Sequence, residues 1–88
     1  MQIVRNASAG TMESSDAYVE IEPAQNLQVQ LESVVQEQFG QQIQKVVQEV
    51  LEENGVKGAS VRVIDRGALE CVIRARVETA IYRGREEV

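Results

Sequence analysis

The chain has no histidine and no tryptophan, one cysteine and one proline among its 88 residues. Without histidine, the commonest general base and metal ligand is missing, and Ser-His and Cys-His nucleophile pairs are excluded. A single cysteine, Cys71, makes neither an internal disulfide nor a zinc cluster, so a stapled secreted scaffold is not expected. Only Tyr18, Phe39 and Tyr82 are aromatic. The core must therefore be aliphatic, and the stacking platforms of single-strand nucleic-acid binders are lacking. No apolar run approaches the roughly 18 residues of a membrane span, and the start of the chain shows neither the basic nor the apolar region of a signal peptide. No G-x-x-x-x-G-K-[ST] or G-x-G-x-x-G phosphate cradle occurs. A non-catalytic cytoplasmic protein is expected, with no nucleic-acid and no membrane partner.

What is present suits one small domain spanning 1–88. Apolar residues make up 43% and charged residues 26%, which is a globular composition. A formal net charge of -5 opposes phosphate backbones and anionic membranes at long range. The charge is unevenly spread: residues 1–56 hold two cations and nine anions, whereas 57–88 hold seven cations and five anions.

Period-two alternation of apolar residues predicts strands over 17–22 and 27–32, with a weaker strand before Gly10. The link from Pro23 to Asn26 is short enough for a hairpin. At Ser33 the period changes. Val35, Phe39, Ile43, Val46, Val47, Val50 and Leu51 mark one face of a long amphipathic helix, with Ser33 and Gln36 as a capping box and Asn54-Gly55 as its stop. Alternation returns over 59–64. After the turn signal Asp65-Arg66-Gly67, Leu69, Cys71, Ile73, Ala75 and Val77 alternate with polar residues, which predicts a fifth strand to about Arg76, paired as a hairpin, and a short helical tail. The same segment also carries helical spacing in Leu69, Val72, Ile73, Val77 and Ile81. The expected architecture is α+β: a mainly antiparallel sheet of about five strands, in the order β-β-β-α-β-β, packed on one long helix. Cys71 falls at an inward strand position as a small buried hydrophobe. Arg74 and Arg76 fall on the outer face with Glu70.

The segment Gly10 to Asp16, G-T-M-E-S-S-D, joins two strand-like runs with a glycine, small hydroxyls and two carboxylates. It reads either as a solvated turn or as an exposed tip on which a serine can be esterified by a phosphate group without disturbing the core.

Three ordered blocks carry a resemblance: A-S-A-G-T-M-E-S-S-D at the start, Val35-Gln36-Glu37-Gln38-Phe39-Gly40 in the middle, and D-R-G-A-L-E-C-V-I-R-A-R-V-E-T-A near the end. Together they resemble the acyl carrier proteins, or gamma subunits, of citrate lyase, over nearly the whole chain. The resemblance implies a cofactor-bearing subunit. Thr11, Met12, Glu13 and Ser14 match the family's T-[LM]-E-S block, so Ser14 is expected to hold a 2'-(5''-phosphoribosyl)-3'-dephospho-coenzyme A group through a phosphodiester. At the position of Ser15 such proteins often have glycine, so a second hydroxyl lies beside the expected site. The arm's thiol would carry acetyl and citryl thioesters between the transferase (alpha) and lyase (beta) subunits as citrate is cleaved to acetate and oxaloacetate. A holo-carrier-forming transferase and an acetate ligase would load it.

Beside the expected site, Glu13 and Asp16 are either recognition features for the attachment enzyme or turn-forming acids. The arginines Arg62, Arg66, Arg74, Arg76, Arg83 and Arg85 either contact cofactor phosphates and acidic partner surfaces or form an ordinary charged face. Ordinary acyl carrier proteins are helical bundles with Asp-Ser-Leu at a helix start, and biotinyl or lipoyl carriers need a tip lysine, so neither pattern fits. The alternatives are the carrier of a related malonate decarboxylase and an unmodified adaptor that pairs through a sheet edge or the helix face.

Overall fold

The alternating runs do form strands. A computed structural model describes residues 2–86, with β1 at Ala7–Gly10, β2 at Ala17–Glu22, β3 at Leu27–Ser33 and β4 at Ala59–Asp65. Two helices accompany them, α1 at Gln36–Glu53 and α2 at Glu70–Gly84. The sheet order is β1-β2-β4-β3. β2 pairs antiparallel with β1 and β4, whereas β3 runs parallel to β4. The α+β class stands, and the sheet is mixed with four strands.

Two expected hairpins are corrected by one fact: β4 lies between β2 and β3 and is paired on both edges. The Pro23–Asn26 link is therefore not a hairpin loop. It steps across the start of β4, a gap of about two strand spacings, or ~10 Å. Gly58 lets it pass, because a Cβ there would stand 2.3 Å from the carbonyl oxygen of Ala24. β3 and β4 are parallel, so they require a crossover, and α1 supplies it.

The fully paired β4 also leaves no free edge for a fifth strand. The segment expected to be a strand to Arg76 is helix α2, and the helical spacing is the one realised. Ile73, Val77, Ala80, Ile81 and Gly84 are buried at intervals of one helical face. The positions unique to the alternating pattern, Cys71 and Ala75, are exposed. Cys71 is thus a free, exposed thiol in the first turn of α2 and not an inward strand residue.

One aliphatic core lies between the sheet and the two helices. Val19 and Ile21 of β2, Val61 and Val63 of β4, Val47, Val50 and Leu51 of α1, and Val77 and Ile81 of α2 are essentially inaccessible to solvent. No aromatic residue belongs to it. Phe39, expected on the core face of α1, is 49% exposed, because burial along that helix begins one turn later at Ile43. Asn54 and Gly55 do end α1, Gly55 with a left-handed φ of 69°.

The expected capping box is replaced by a different use of Ser33. That residue ends β3, and Val35 takes the N-cap without a side-chain hydrogen bond. The Ser33 hydroxyl accepts from the Val35 amide at 3.1 Å and donates to Oδ2 of Asp65 at 2.7 Å. Asp65 is 1% exposed, the only buried charged residue among those described. Its Oδ1 accepts from the amides of Gly67 (3.2 Å) and Ala68 (2.9 Å). The carboxylate thereby ties the β3-α1 junction to the turn that leads into α2.

Candidate functional site

The loop Thr11–Asp16 joins β1 to β2, and its entry depends on glycine. Gly10 has φ 95°, and a Cβ there would lie 1.9 Å from the carbonyl oxygen of Ala17 and 3.1 Å from Cδ of Arg76. Gly10→Ala is expected to destabilise the chain by about 2 kcal/mol, combining a left-handed backbone penalty with displacement of the short edge strand β1. Urea titration of both proteins measures it.

At the tip, the Asp16 amide donates to the Glu13 carbonyl at 3.1 Å, closing a four-residue turn with Ser14 and Ser15 at its centre. Ser15 takes φ 67°, a conformation natural to glycine and strained for serine. The turn is held to the end of β4 by two backbone hydrogen bonds. Ser15 N-H donates to the Arg66 carbonyl at 2.8 Å, and Arg66 N-H donates to the Asp16 carbonyl at 2.9 Å. Ser14 is exposed, and no hydrogen bond among the described residues engages its hydroxyl.

Asp16 is the clamp beneath this tip. Its carboxylate receives both Nε (3.0 Å) and Nη2 (2.9 Å) of Arg76, the Thr11 hydroxyl (2.7 Å) and the Ala17 amide (2.7 Å). The two-pronged guanidinium contact fixes angle as well as distance. Thr11 Oγ1 in turn accepts from the Glu13 amide at 3.2 Å. Of the two flanking acids, Asp16 is therefore a structural, turn-forming residue, while Glu13 stays exposed. The Arg76 guanidinium, followed by the Thr11 hydroxyl and the Ala17 amide, holds the Asp16 carboxyl well below the usual carboxylate range.

That shift has a definite sign. The folded chain binds the Asp16 proton more weakly than the unfolded chain, so the clamp's stabilisation is complete above about pH 4 and is lost as pH falls through the lowered folded value. Thermal melts from pH 6 down to pH 2 should fall more steeply for the parent protein than for Asp16→Asn. Parallel curves would remove Asp16 as the cause.

The arginines expected on one charged face are distributed by α2 and the sheet. Arg62 pairs with Glu20 at 3.0 Å, and Arg74 pairs with Glu49 and Glu53 of α1, joining the two helices. Arg76 binds Asp16, Arg83 donates to the Ser8 carbonyl, and Arg85 lies over the Tyr82 ring. The alternatives left open for this face therefore separate residue by residue. The Asp16–Arg76 pair spans 60 positions and was invisible to the strand reading of 69–76, although the competing helical spacing brings Arg76 toward the loop. The buried role of Asp65 had no signal beyond its place in a turn. No group of His, Cys, Asp and Glu among the described residues is arranged for a metal ion. No helix among them is long and apolar enough to cross a membrane.

Comparison with known proteins decides the family. The chain is 53% identical to the citrate lyase acyl carrier protein of Streptococcus mutans, covering 94% of this chain and 83% of that protein. It is 51% identical to the citrate lyase acyl carrier protein of Treponema denticola, covering 99% and 100%. The chain belongs to the citrate lyase acyl carrier protein family. It is accordingly a carrier and not a catalyst.

The family model of the malonate decarboxylase delta subunit (MdcD) also matches residues 4–84 of this chain. The fold is shared with a chain of the Pseudomonas malonate decarboxylase hetero-tetramer crystallised with malonate. That similarity has a TM-score of 0.80 at 21% identity, over 97% of this chain and 93% of that one. The helix found over Glu70–Gly84 thus belongs to a carrier fold in which the T-M-E-S block stands on the β1-β2 loop.

Proposed function

We propose that this chain is the acyl carrier subunit of a citrate lyase and that Ser14 is the point at which 2'-(5''-phosphoribosyl)-3'-dephospho-coenzyme A is attached, through a phosphodiester on Oγ. The observation that carries the site is the Ser14 hydroxyl, exposed and unbonded at the tip of a turn that is itself held on several sides. The residues suit such a group. Esterification of Ser14 displaces no internal contact, and the neighbouring Asp16 charge is already compensated by Arg76 and Thr11.

The chain's own residues anchor and orient. Asp16, Thr11 and Arg76 keep the base of the loop fixed, so that reach comes from the arm and not from movement of the fold. Met12, 49% exposed, and the exposed Glu13 lie beside the serine as surface for the attachment enzyme. When bound, the group supplies a thiol on a long tether, which carries acetyl and citryl groups as thioesters between partner sites at a high effective concentration. The partners are the transferase (alpha) and lyase (beta) subunits, with a holo-carrier-forming transferase and an acetate ligase preparing the carrier in the cytoplasm. The whole of 1–88 acts as a single acyl-carrier domain.

A second reading, the carrier of a malonate decarboxylase, draws on the matching profile and the shared fold. Identities near 50% to the citrate lyase carriers, against 21% to the malonate decarboxylase chain, favour the first. Intact mass and peptide mapping of protein from its natural host, grown fermenting citrate, test the proposal. The expected result is the adduct on the peptide bearing Ser14, with acetyl and citryl forms after incubation with citrate and the lyase complex. Malonyl loading would support the second reading. Unmodified protein in an active complex would overturn both and leave an adaptor.

A further inference from the structure

The chain has seven arginines, and six have a partner for the guanidinium. Arg5 donates to the carbonyls of Arg83 and Arg85, and Arg62, Arg74, Arg76, Arg83 and Arg85 are held as described above. Arg66 is the exception among the described residues: it is exposed, and only its backbone is engaged. That backbone forms the two hydrogen bonds to the serine turn, one from Ser15 and one to Asp16. Ser15 and Asp16 together oppose the single residue Arg66, with Ser15 in the left-handed position, as in a β-bulge. The free guanidinium is thus tethered directly across from the two residues that follow Ser14. It continues a strand whose preceding residue, Asp65, points into the core, so the alternation turns Arg66 outward.

Nearby acids leave it free. Asp65 is spent on Ser33 and the Gly67 and Ala68 amides, and Asp16 on Arg76, Thr11 and Ala17. Glu13 is exposed at the tip and makes no ion pair with it.

We infer that Arg66 is the phosphate-binding residue of the attachment site, its guanidinium receiving the phosphate ester carried on Ser14 Oγ. The planar fork of arginine matches two phosphate oxygens at once. An unpaired cation beside the anchoring residue would bias the first phosphate of a long anionic arm toward one direction of departure from the loop. This inference rests on Ser14 as the attachment point.

The test uses the full chain with phosphoserine at position 14 and follows its second ionisation by phosphorus NMR against pH. A unit positive charge about 5 Å away in water stabilises the dianion enough to lower that pKa by about 0.5. Arg66→Gln is expected to restore the value of free phosphoserine, near 6, and Arg66→Lys to keep most of the depression. Arg62→Gln, on the same strand but paired with Glu20, is expected to leave it unchanged. Raising the salt to 1 M should shrink the difference. Superposable titrations of the parent and Arg66→Gln would overturn the inference, as would an equal shift from Arg62→Gln. Amide spectra of each variant establish that the fold is intact. The titration reads Arg66 directly whatever host protein shows, so an adduct mapped to Ser15 would fail the assignment of Ser14 without being confused with a failure at Arg66.

Discussion

Ser14→Ala is expected to abolish incorporation of the prosthetic group, and with it all acyl loading, while the melting temperature stays within about 1 °C of the parent. The oxygen removed is the nucleophile of the proposed phosphodiester, so no residual path through position 14 exists. The small stability effect follows from the structure. The hydroxyl is exposed and bonds to nothing among the described residues, and surface substitutions of that kind typically change stability by less than about 0.5 kcal/mol. The measurement is intact mass after incubation with the attachment enzymes, beside a thermal melt. Ser15→Ala separates the two hydroxyls: it should leave loading intact, because Ser15 fills the left-handed position of the turn while Ser14 presents the tip. Loading lost in Ser15→Ala and kept in Ser14→Ala would move the site.

The largest effect on stability is expected at Asp65. Alanine there leaves the Ser33 hydroxyl and the amides of Gly67 and Ala68 without their acceptor in a buried site. Hydrogen bonds to a charged group contribute about 1.5–3 kcal/mol each, and three lost together are not fully additive, so a loss of about 4 kcal/mol is expected. A domain of this size has about 4–13 kcal/mol in all. Asp65→Ala should therefore be marginally folded at 37 °C, and urea titration at 15 °C gives the magnitude. Because Asp65 lies between the serine loop's backbone anchor at Arg66 and the β3-α1 junction, the same variant should lower the rate of attachment at Ser14 even in the cold. Asp65→Asn, which keeps one acceptor oxygen, should recover part of both. A fully stable Asp65→Ala would show that water replaces the carboxylate.

How far the residues alone reveal this molecule depends on whether their signal is local. The alternation of Ala17, Val19 and Ile21 and the three-four spacing from Ile43 to Leu51 announce β2 and the core of α1, because each pattern reflects one element burying one face. Asn54-Gly55 ends α1 through its own backbone preference. The exposed G-T-M-E-S-S-D loop is equally legible, since Gly10 and the small polar residues act through local conformation, and family likeness singles out Ser14 within it. Residues 69–76 were different. They satisfied two periodicities, and the choice between them was made elsewhere in the fold.

The sequence by itself determined an aliphatic α+β chain, a long central helix, a hydroxyl-bearing loop between two strands, and a protein without the side chains for most independent catalysis. Only the tertiary structure decided that β4 would lie between β2 and β3, and that decision carried the rest. With both edges of β4 occupied, residues 70–84 could not fold back as its hairpin partner and satisfied their backbone groups as a helix packed on the core. That helix delivered Arg76 to Asp16 and Arg74 to Glu49 and Glu53, and left Arg66 unpaired beside the serine turn. Strand order and charge pairing join residues up to 60 positions apart, so they arise from the competition for edges and partners in the assembled fold, which no local pattern records.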